Sequence, residues 1–175
     1  MEKDNYRVLG CDPGRVNFAW AIYGDYGLED HGLIEGAEEI KRLDYNAAHF
    51  EKIIRFHTPN ACCIERFHQR PGKGAVKNME LVNLMLGQAR MICRLYKMPC
   101  KLITAAEHKK WTAQNFDVEL SKVKAAKTGV GKKFDISTYK EWRDLKTAHE
   151  VDAANIAKYA HDHAMTEHRK EEEHE

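Results

Sequence analysis

The spacing of apolar and polar residues predicts three strands at the start of the chain. Apolar runs separated by short turns place them at Tyr6–Cys11, at Asn17–Tyr23 and within Leu28–Ile34. Asp12 and Pro13 open the first of these turns. Because the connections are short, the three strands should form an antiparallel meander.

The rest of the chain alternates between helical patterns and short apolar strands. A helical period runs over Ile40–Phe56 and over Val76–Tyr96, and each segment ends shortly before a proline. The same criteria predict strands at Ala61–Arg66 and Cys100–Thr104, and helices at Ala105–Asn115, Phe134–Arg143 and Ala148–Ala164. This order, βββ-α-β-α-β-α followed by further helices, predicts an α/β domain in which helices flank a five-stranded mixed sheet.

The length and composition are typical of one globular domain. The chain has 175 residues and no internal repeat, so we place a single domain at residues 1–165. The glutamate-rich residues 166–175 are predicted to form a disordered acidic tail. A net charge of only +1 conceals a basic segment, since seven lysines lie between His108 and Lys133. Such a segment either binds a polyanion or forms a solvated helix face.

The cysteines and the N-terminus are typical of a cytoplasmic protein. Five cysteines show no C-x-x-C spacing and mostly lie in apolar runs, so we expect buried free thiols rather than a zinc site. The first residues are polar, and no apolar run is long enough to span a bilayer. We therefore expect a reducing, cytoplasmic location and no membrane partner.

Three carboxylates occupy positions where they need a partner. Asp12 follows the first apolar run, Glu65 ends a later one, and Asp152 lies in the last helix. A carboxylate at the end of a buried strand is costly to dehydrate unless it is paired or binds a cation. Three converging carboxylates repel one another, and a divalent cation is the simplest way to relieve that repulsion. The pattern therefore favours a Mg²⁺ or Mn²⁺ site that acts on phosphates.

The start of the last helix separates its acidic residues by face. Thr147 and Glu150 have the spacing of a capping box, which gives Glu150 a structural role. His149 and Asp152 share a core-facing stripe of the helix, whereas Glu150 points almost opposite. Alone, Asp152 would be explained by an ion pair and His149 by core packing. Together with the two strand carboxylates, the pair favours a metal site.

Four segments occur in the order and at the intervals of a known family: Leu9-Gly10-Cys11-Asp12-Pro13-Gly14, Ile64-Glu65-Arg66-Phe67, Leu86-Gly87-Gln88-Ala89-Arg90 and His149-Glu150-Val151-Asp152-Ala153-Ala154. On these segments the chain resembles the RuvC-type Holliday junction resolvases of bacteria and their phages. The resemblance implies a ribonuclease H-like fold and the activity of a crossover junction endodeoxyribonuclease.

The resemblance also implies a metal site made of Asp12, Glu65, His149 and Asp152 that holds two Mg²⁺ or Mn²⁺ ions. Many members of the family carry Asp where this chain has His149, so the histidine is either a ligand or a proton shuttle. The family uses a lysine near the site, and the spacing here leaves several candidates open: Lys109, Lys110, Lys124, Lys132 and Lys133.

Contacts with branched DNA and a homodimer are implied in the same way. Phe67 would stack on an unpaired base at the junction, or it is an ordinary core residue. The Leu86–Arg90 segment resembles part of the family's dimerisation helix, although a central helix of the monomer also explains its apolar character. The candidate DNA-binding residues are Arg66, Phe67, His68, Arg70, Lys73, Lys77, Lys109, Lys110, Lys124, Lys132 and Lys133.

Together with the carboxylate pattern, the resemblance implies a homodimeric, metal-dependent endonuclease that resolves four-way DNA junctions by paired phosphodiester cleavage and leaves 5′-phosphate ends. No small-molecule substrate is expected. One alternative is a ribonuclease H-like nuclease that acts on RNA, such as a pre-rRNA-processing nuclease, and the Leu86–Arg90 segment argues against it. The other is a non-catalytic module that binds branched DNA, and the intact carboxylate set argues against that.

Overall fold

Helices cover both faces of one sheet in this computed structural model of the protein. It describes residues 5–14, 17–35, 39–66, 76–115, 122–125, 129–132, 145 and 147–172. The strands of the sheet are β1 (Val8–Pro13), β2 (Asn17–Gly24), β3 (Gly27–Glu35), β4 (Ala61–Glu65) and β5 (Cys100–Ile103). The helices are α1 (Glu39–His57), α2 (Val76–Leu95), α3 (Ala105–Asn115) and α4 (Ala148–Glu172).

The sheet has the mixed topology that the sequence predicts. Its strand order is β3-β2-β1-β4-β5. The strands β1, β2 and β3 form the antiparallel meander, whereas β4 and β5 extend the sheet in parallel beside β1. Tight turns can join only antiparallel neighbours, and the parallel strands are reached through α1 and α2. The predicted α/β class with a five-stranded sheet is confirmed.

The alternation of side chains along β1 assigns each residue to one face of the sheet. Leu9 and Cys11 are buried in the apolar cluster formed with α1 and α2. Val8 and Asp12 lie on the other face, where α4 packs, because successive side chains of a strand point in opposite directions. The strand β4 divides in the same way, with Cys62 on the α1–α2 face and Cys63 on the α4 face.

Helix α4 approaches β1 so closely that only glycine fits at one position. A Cβ atom added to Gly10 would lie 2.4 Å from both the carbonyl oxygen of Ala153 and the backbone nitrogen of Ala157. Both alanines are fully buried, so a stripe of small residues on α4 faces the glycine on β1. This contact fixes the height of α4 over the sheet, and with it the position of the first turn of α4.

The structure differs from the predicted elements at three places. Strand β1 begins and ends two residues later than predicted, so that it includes Asp12 and Pro13. Helix α4 continues to Glu172, through residues for which the composition predicted a disordered tail, so the helix end predicted at Ala164 is wrong. Residues 165–175 contain no glycine or proline and many good helix formers, which explains the extension.

The third difference lies in the lysine-rich segment. A two-stranded antiparallel hairpin forms there from β6 (Lys122–Ala125) and β7 (Gly129–Lys132), with Lys122 opposite Lys132. Glycine is unfavourable within a strand, but this hairpin tolerates Gly129 and Gly131 because its partner strand supplies the hydrogen bonds. The helix predicted at Phe134–Arg143 lies outside the described residues.

Within the described residues, none of the helices is long and apolar enough to cross a bilayer.

Replacing Gly10 by alanine should disrupt the packing of α4 against β1 and lower the stability of the protein. The new methyl group would meet backbone atoms that cannot rotate away, so we expect a loss of stability of about 3 kcal/mol. Thermal and urea denaturation monitored by circular dichroism would measure it. The matched control is Gly87→Ala in α2, where, apart from its chain neighbours and the adjacent backbone of the same helix, no atom lies within 4 Å of the added Cβ. Alanine there should be neutral or should stabilise by up to about 1 kcal/mol. Equal stability of the two variants would contradict the proposed closeness of α4 to β1.

Candidate active site

The parallel pairing of β1 with β4 brings two carboxylates to one edge of the sheet. Cys11 pairs with Ile64, so Asp12 and Glu65 are the next residues along the two neighbouring strands. Asp12 is only 9% exposed, and the side chain of Glu65 is 18% exposed. Carboxylates that are this poorly hydrated need a cation or a hydrogen-bond donor.

The first turn of α4 is oriented by its cap. The Glu150 backbone N–H donates to Thr147 Oγ1 at 3.2 Å, and the Thr147 hydroxyl donates to the Glu150 carboxylate at 2.9 Å. The same carboxylate contacts His31 Nδ1 of β3 at 3.0 Å, so it is buried against the sheet away from Asp12. The predicted opposite orientation and structural role of Glu150 are confirmed.

The other face of that turn carries His149 and Asp152 toward the strand carboxylates. His149 Nδ1 lies 2.7 Å from Asp12 Oδ2. Asp152 lies one turn further and is largely buried, whereas the His149 side chain is 48% exposed. His149 is therefore not the core-facing residue that the helical pattern predicted, because its ring lies beside Gly14, after the end of β1.

Helix α3 supplies two basic residues to the same place. Its start is capped by Thr104, whose hydroxyl accepts the backbone N–H of Glu107 at 3.2 Å. One turn further, Lys109 Nζ donates to Asp152 Oδ2 at 3.0 Å. His108 is fully buried, and its Nε2 lies 2.7 Å from Glu65 Oε2.

Sequence reasoning missed His108. The available signal was its position beside Lys109, in the first turn of a helix that follows strand β5 at the same edge of the sheet as Glu65.

The hydrogen-bond pattern assigns the tautomer of His108. An ionised Glu65 requires an N–H at Nε2, and the buried Nδ1 has no partner among the described residues. A neutral ring protonated at Nε2 avoids leaving a buried N–H without an acceptor.

Each of the three carboxylates thus has one basic partner: Asp12 with His149, Glu65 with His108, and Asp152 with Lys109. Lys109 experiences all three negative charges. Burial lowers the pKa of Lys109, but the charges of Asp152, Glu65 and Asp12 outweigh the burial and raise the pKa overall. The lysine therefore remains protonated at neutral pH.

The pKa shifts of the two α4 residues have different causes. The hydrogen bond to Asp12 raises the pKa of His149 above its ordinary value, although partial burial opposes it. Burial raises the pKa of Asp152, and the charge of Lys109 only partly offsets this. The shift of His149 reflects stabilisation of its protonated form by Asp12, whereas the shift of Asp152 reflects the cost of burying a carboxylate.

The donor set fits the hard divalent cations that the sequence predicted. Asp12, Glu65 and Asp152 offer carboxylate oxygens, which Mg²⁺ and Mn²⁺ prefer, and His149 adds an imidazole nitrogen that suits Mn²⁺. In the described conformation, no three of these four residues place ligand atoms within 4.8 Å of one another. Shared ligation by three of them would require side-chain rotation and release of at least one basic partner.

The candidate DNA-binding residues are only partly described. Arg66 and Lys110 are exposed at the edge of the sheet and on α3, and Lys109 is at the carboxylates. The structure describes only the backbone at Lys77, in the first turn of α2, and at Lys124 and Lys132, in the β6–β7 hairpin. Phe67, His68, Arg70, Lys73 and Lys133 lie outside the described residues.

No protein-family profile and no curated protein matches this sequence. Solved structures do share its fold. T. thermophilus RuvC in complex with a Holliday junction substrate is similar with a TM-score of 0.62 and 15% identity, over 87% of this chain and 90% of that chain. A second Thermus thermophilus RuvC structure has a TM-score of 0.60 and 17% identity, over 86% and 90%. The yeast mitochondrial Holliday junction resolvase Ydc2 has a TM-score of 0.57 and 14% identity, over 87% and 77%. The RuvC-like fold implied by the sequence motifs is thereby confirmed.

Removing the lysine at the carboxylates should destabilise the protein in a pH-dependent way. In Lys109→Met the pKa of Asp152 should rise further, because burial already raises it and its positive partner is lost. A carboxyl whose folded-state pKa exceeds its unfolded value costs stability as the pH rises through the folded value. We therefore expect little difference from wild type below about pH 3.9 and a loss of about 1–3 kcal/mol at pH 7.

Denaturation in the presence of EDTA would measure this effect, with Lys110→Met as the control because Lys110 is the exposed neighbour. Added Mg²⁺ should restore part of the lost stability if the carboxylates bind the ion. The same loss at all pH values, or the same loss in Lys110→Met, would contradict the assigned role of Lys109.

Proposed function

We propose that this protein is a metal-dependent endonuclease that cleaves Holliday junctions. One observation carries the proposal: within a RuvC-like fold, Asp12 and Glu65 end two adjacent parallel strands, and the first turn of α4 faces them with His149 and Asp152. Carboxylates at the ends of neighbouring strands, joined by a helix residue, are a donor set suited to cations that bind phosphate oxygens.

Asp12, Glu65, Asp152 and His149 would hold the ions. When bound, two divalent cations at such a site lower the pKa of an attacking water and stabilise the leaving oxygen. His149 can ligate only after it loses its proton, which its hydrogen bond to Asp12 opposes. A histidine in this position would therefore make ion binding weaker on the acid side of neutrality.

The basic partners have separate tasks in this proposal. Lys109, protonated at neutral pH, cannot act as a general base, but it can stabilise negative charge that develops on the phosphate. His108 donates from Nε2 to Glu65, and this fixes the orientation of that carboxylate without contact with the substrate.

The substrate class is inferred from the fold and from charge. The T. thermophilus relative was solved with a Holliday junction, and this chain covers 90% of its length. Exposed Arg66 and Lys110 lie near the carboxylates, and lysines are concentrated in and around the β6–β7 hairpin. Such groups would hold the arms of a junction through phosphates, which positions the DNA without reading its sequence.

Paired cleavage of a symmetric junction requires two copies of the site, and α2 offers a surface for a homodimer. Its buried side includes Val82, Met85 and Ala89, whereas Leu84, Met91 and Leu95 are 50%, 60% and 73% exposed. The three exposed residues are spaced by seven and four positions, so they share one face of the helix. An apolar stripe on the outside of a surface helix suits an isologous contact between two copies.

A non-catalytic module that binds branched DNA remains the second candidate. The observation in its favour is that every carboxylate of the site already has a basic partner, which is sufficient to explain three buried acids without any metal ion. Cleavage assays decide between the two, and a parallel assay on structured RNA tests the ribonuclease alternative.

Neutralising one carboxylate should abolish cleavage and leave junction binding intact. We expect Asp12→Asn, Glu65→Gln and Asp152→Asn each to reduce the cleavage rate of a synthetic four-way junction by more than about 100-fold in saturating Mg²⁺, because transition-state stabilisation is lost while phosphate contacts persist. Single-turnover cleavage and electrophoretic mobility shift assays in Ca²⁺ would measure the two properties separately.

The matched control is Glu150→Gln, which keeps the helix cap and the contact with His31 while removing a charge at the same turn of α4. It should cleave nearly as fast as wild type. An inactive Glu150→Gln together with an active His149→Ala would mean that the opposite face of α4 serves the site. Wild-type binding without cleavage under Mg²⁺ and Mn²⁺ would favour the non-catalytic module.

A charge on the outer face of α2 should produce monomers. Leu84→Glu and Met91→Glu place carboxylates in the proposed apolar contact without entering the core, since both side chains are at least half exposed. Sedimentation velocity at micromolar concentration should show a dimer for wild type and monomers for both variants. Coordinated cutting of both strands should be lost, while nicking persists.

The control is Tyr26→Glu, because the Tyr26 side chain is 89% exposed in the turn before β3 and lies outside α2. A monomeric wild type would overturn the dimer proposal.

A further inference from the structure

Three cysteines from different elements meet on the face of the sheet opposite the carboxylates. Cys62 lies in β4, Cys93 in the last turns of α2 and Cys100 at the start of β5, and their sulfur atoms all lie within 4.8 Å of one another. Among the described residues, this is the only group of three or more histidine, cysteine, aspartate or glutamate side chains that meets this distance. We propose that Cys62, Cys93 and Cys100 form a binding site for a thiophilic d¹⁰ cation such as Zn²⁺.

The backbone explains why the three thiols converge. Cys62 and Cys100 are directly opposite each other on neighbouring parallel strands, so their side chains point to the same face of the sheet. Lys97 adopts a left-handed conformation with φ of 53°, and Met98 N donates to the carbonyl of Cys93 at 2.9 Å. This tight turn reverses the chain between α2 and β5, which places Cys93 over the two strand cysteines.

The spacing suits a metal–thiolate site. Two sulfurs bound to one Zn²⁺ at about 2.3 Å each lie about 4 Å apart, so sulfurs within 4.8 Å need to move inward by only a fraction of an ångström. Thiolate sulfur is the ligand that selects Zn²⁺ and Cu⁺ over Mg²⁺ or Mn²⁺. The cluster is thus chemically distinct from the carboxylate site.

The cysteine ligands of a metal must be thiolates, so an ion that binds has to displace their protons. Hydrogen bonds with Cys62 and Cys93 lower the pKa of the Cys100 thiol, whereas burial raises the pKa of Cys62 and hydrogen bonds raise the pKa of Cys93. Binding replaces the remaining thiol protons, which pass to solvent. Three thiolates and one divalent ion carry a net negative charge, and Arg90, Arg94 and Lys97 lie around the same pocket to balance it.

The site is accessible from one side. Cys62 and Cys93 are buried, but Cys100 is partly exposed and borders a pocket of about 570 Å³ beside the end of α2. An ion can enter through that pocket, and a water molecule or a small thiol there would supply a fourth ligand. Zinc with three protein ligands commonly keeps such an open position.

Metal binding can be tested on the full-length, fully reduced chain with Cd²⁺ as a probe, because cadmium–thiolate bonds absorb in the ultraviolet. After removal of metals with a chelator, titration with Cd²⁺ should develop the thiolate absorption band of the wild type to saturation at one thiolate-bound ion per chain, and the melting temperature should rise. Cys100→Ser and Cys93→Ser should weaken binding by more than about 100-fold, since even outer partners of a metal ligand contribute about 10–100-fold. Cys100→Ser is the safer variant, because Cys100 is not buried.

The matched control is Cys63→Ser, which changes the neighbouring cysteine on the α4 face of the same strand and should bind as the wild type does. Asp152→Asn should also retain the thiolate band, which separates this site from the carboxylates and makes the result independent of nuclease activity. A wild type without a thiolate band, or a band lost equally in Cys63→Ser, would overturn the proposal and leave the three cysteines as core residues.

Discussion

The close contact between α4 and β1 is the constraint on which the site depends. Gly10 has no side chain, so the backbone of α4 at Ala153 and Ala157 can approach the strand directly. The first turn of the helix then lies beside the end of β1, within hydrogen-bond distance of Asp12. A larger residue on either element would lift the helix and separate the α4 residues from the strand carboxylates, even though none of those residues would be altered. The glycine thus contributes to the chemistry through packing alone.

Charge compensation is the second organising feature. Three carboxylates in a poorly hydrated region could not remain ionised without partners, and the chain supplies Lys109 for Asp152, His149 for Asp12, and the hydrogen-bond donor His108 for Glu65. Two of those bases come from α3 and one from α4, so the arrangement forms only when both helices are packed on the sheet. These contacts stabilise the ionised carboxylates in the folded chain. They also compete with any cation for the carboxylate oxygen atoms. Binding of an ion therefore has to be strong enough to displace Lys109 or His149 from its carboxylate.

The side chains of β1 and β4 project alternately to the two faces of the sheet. Asp12 and Glu65 project toward α4 and α3, whereas Cys11 and Cys62 project toward α1 and α2. Strand β4 therefore contributes Glu65 to a hard, oxygen-rich donor set on one side of the sheet and Cys62 to a soft, sulfur-rich group on the other. At 15% identity the likeness to a Holliday junction resolvase establishes architecture. The proposed reaction rests on the residues at the edge of that architecture, and each can be tested by substitution.

The sequence by itself determined what depends on local pattern. The five strands of the main sheet, most helix boundaries, the capping box at Thr147 and the opposite orientation of Glu150 follow from periodicities of two and 3.6 residues and from cap chemistry. The positions of Asp12 and Glu65 at strand ends follow from the same patterns. The contact of Lys109 with Asp152 and the buried contact of His108 with Glu65 do not follow from local patterns. The cluster of Cys62, Cys93 and Cys100 could not be predicted either, because their spacing along the chain matches no metal-binding motif. In each of these cases the contact joins elements that are distant in sequence, and only the packing of helices on the sheet decides which side chains come within bonding distance.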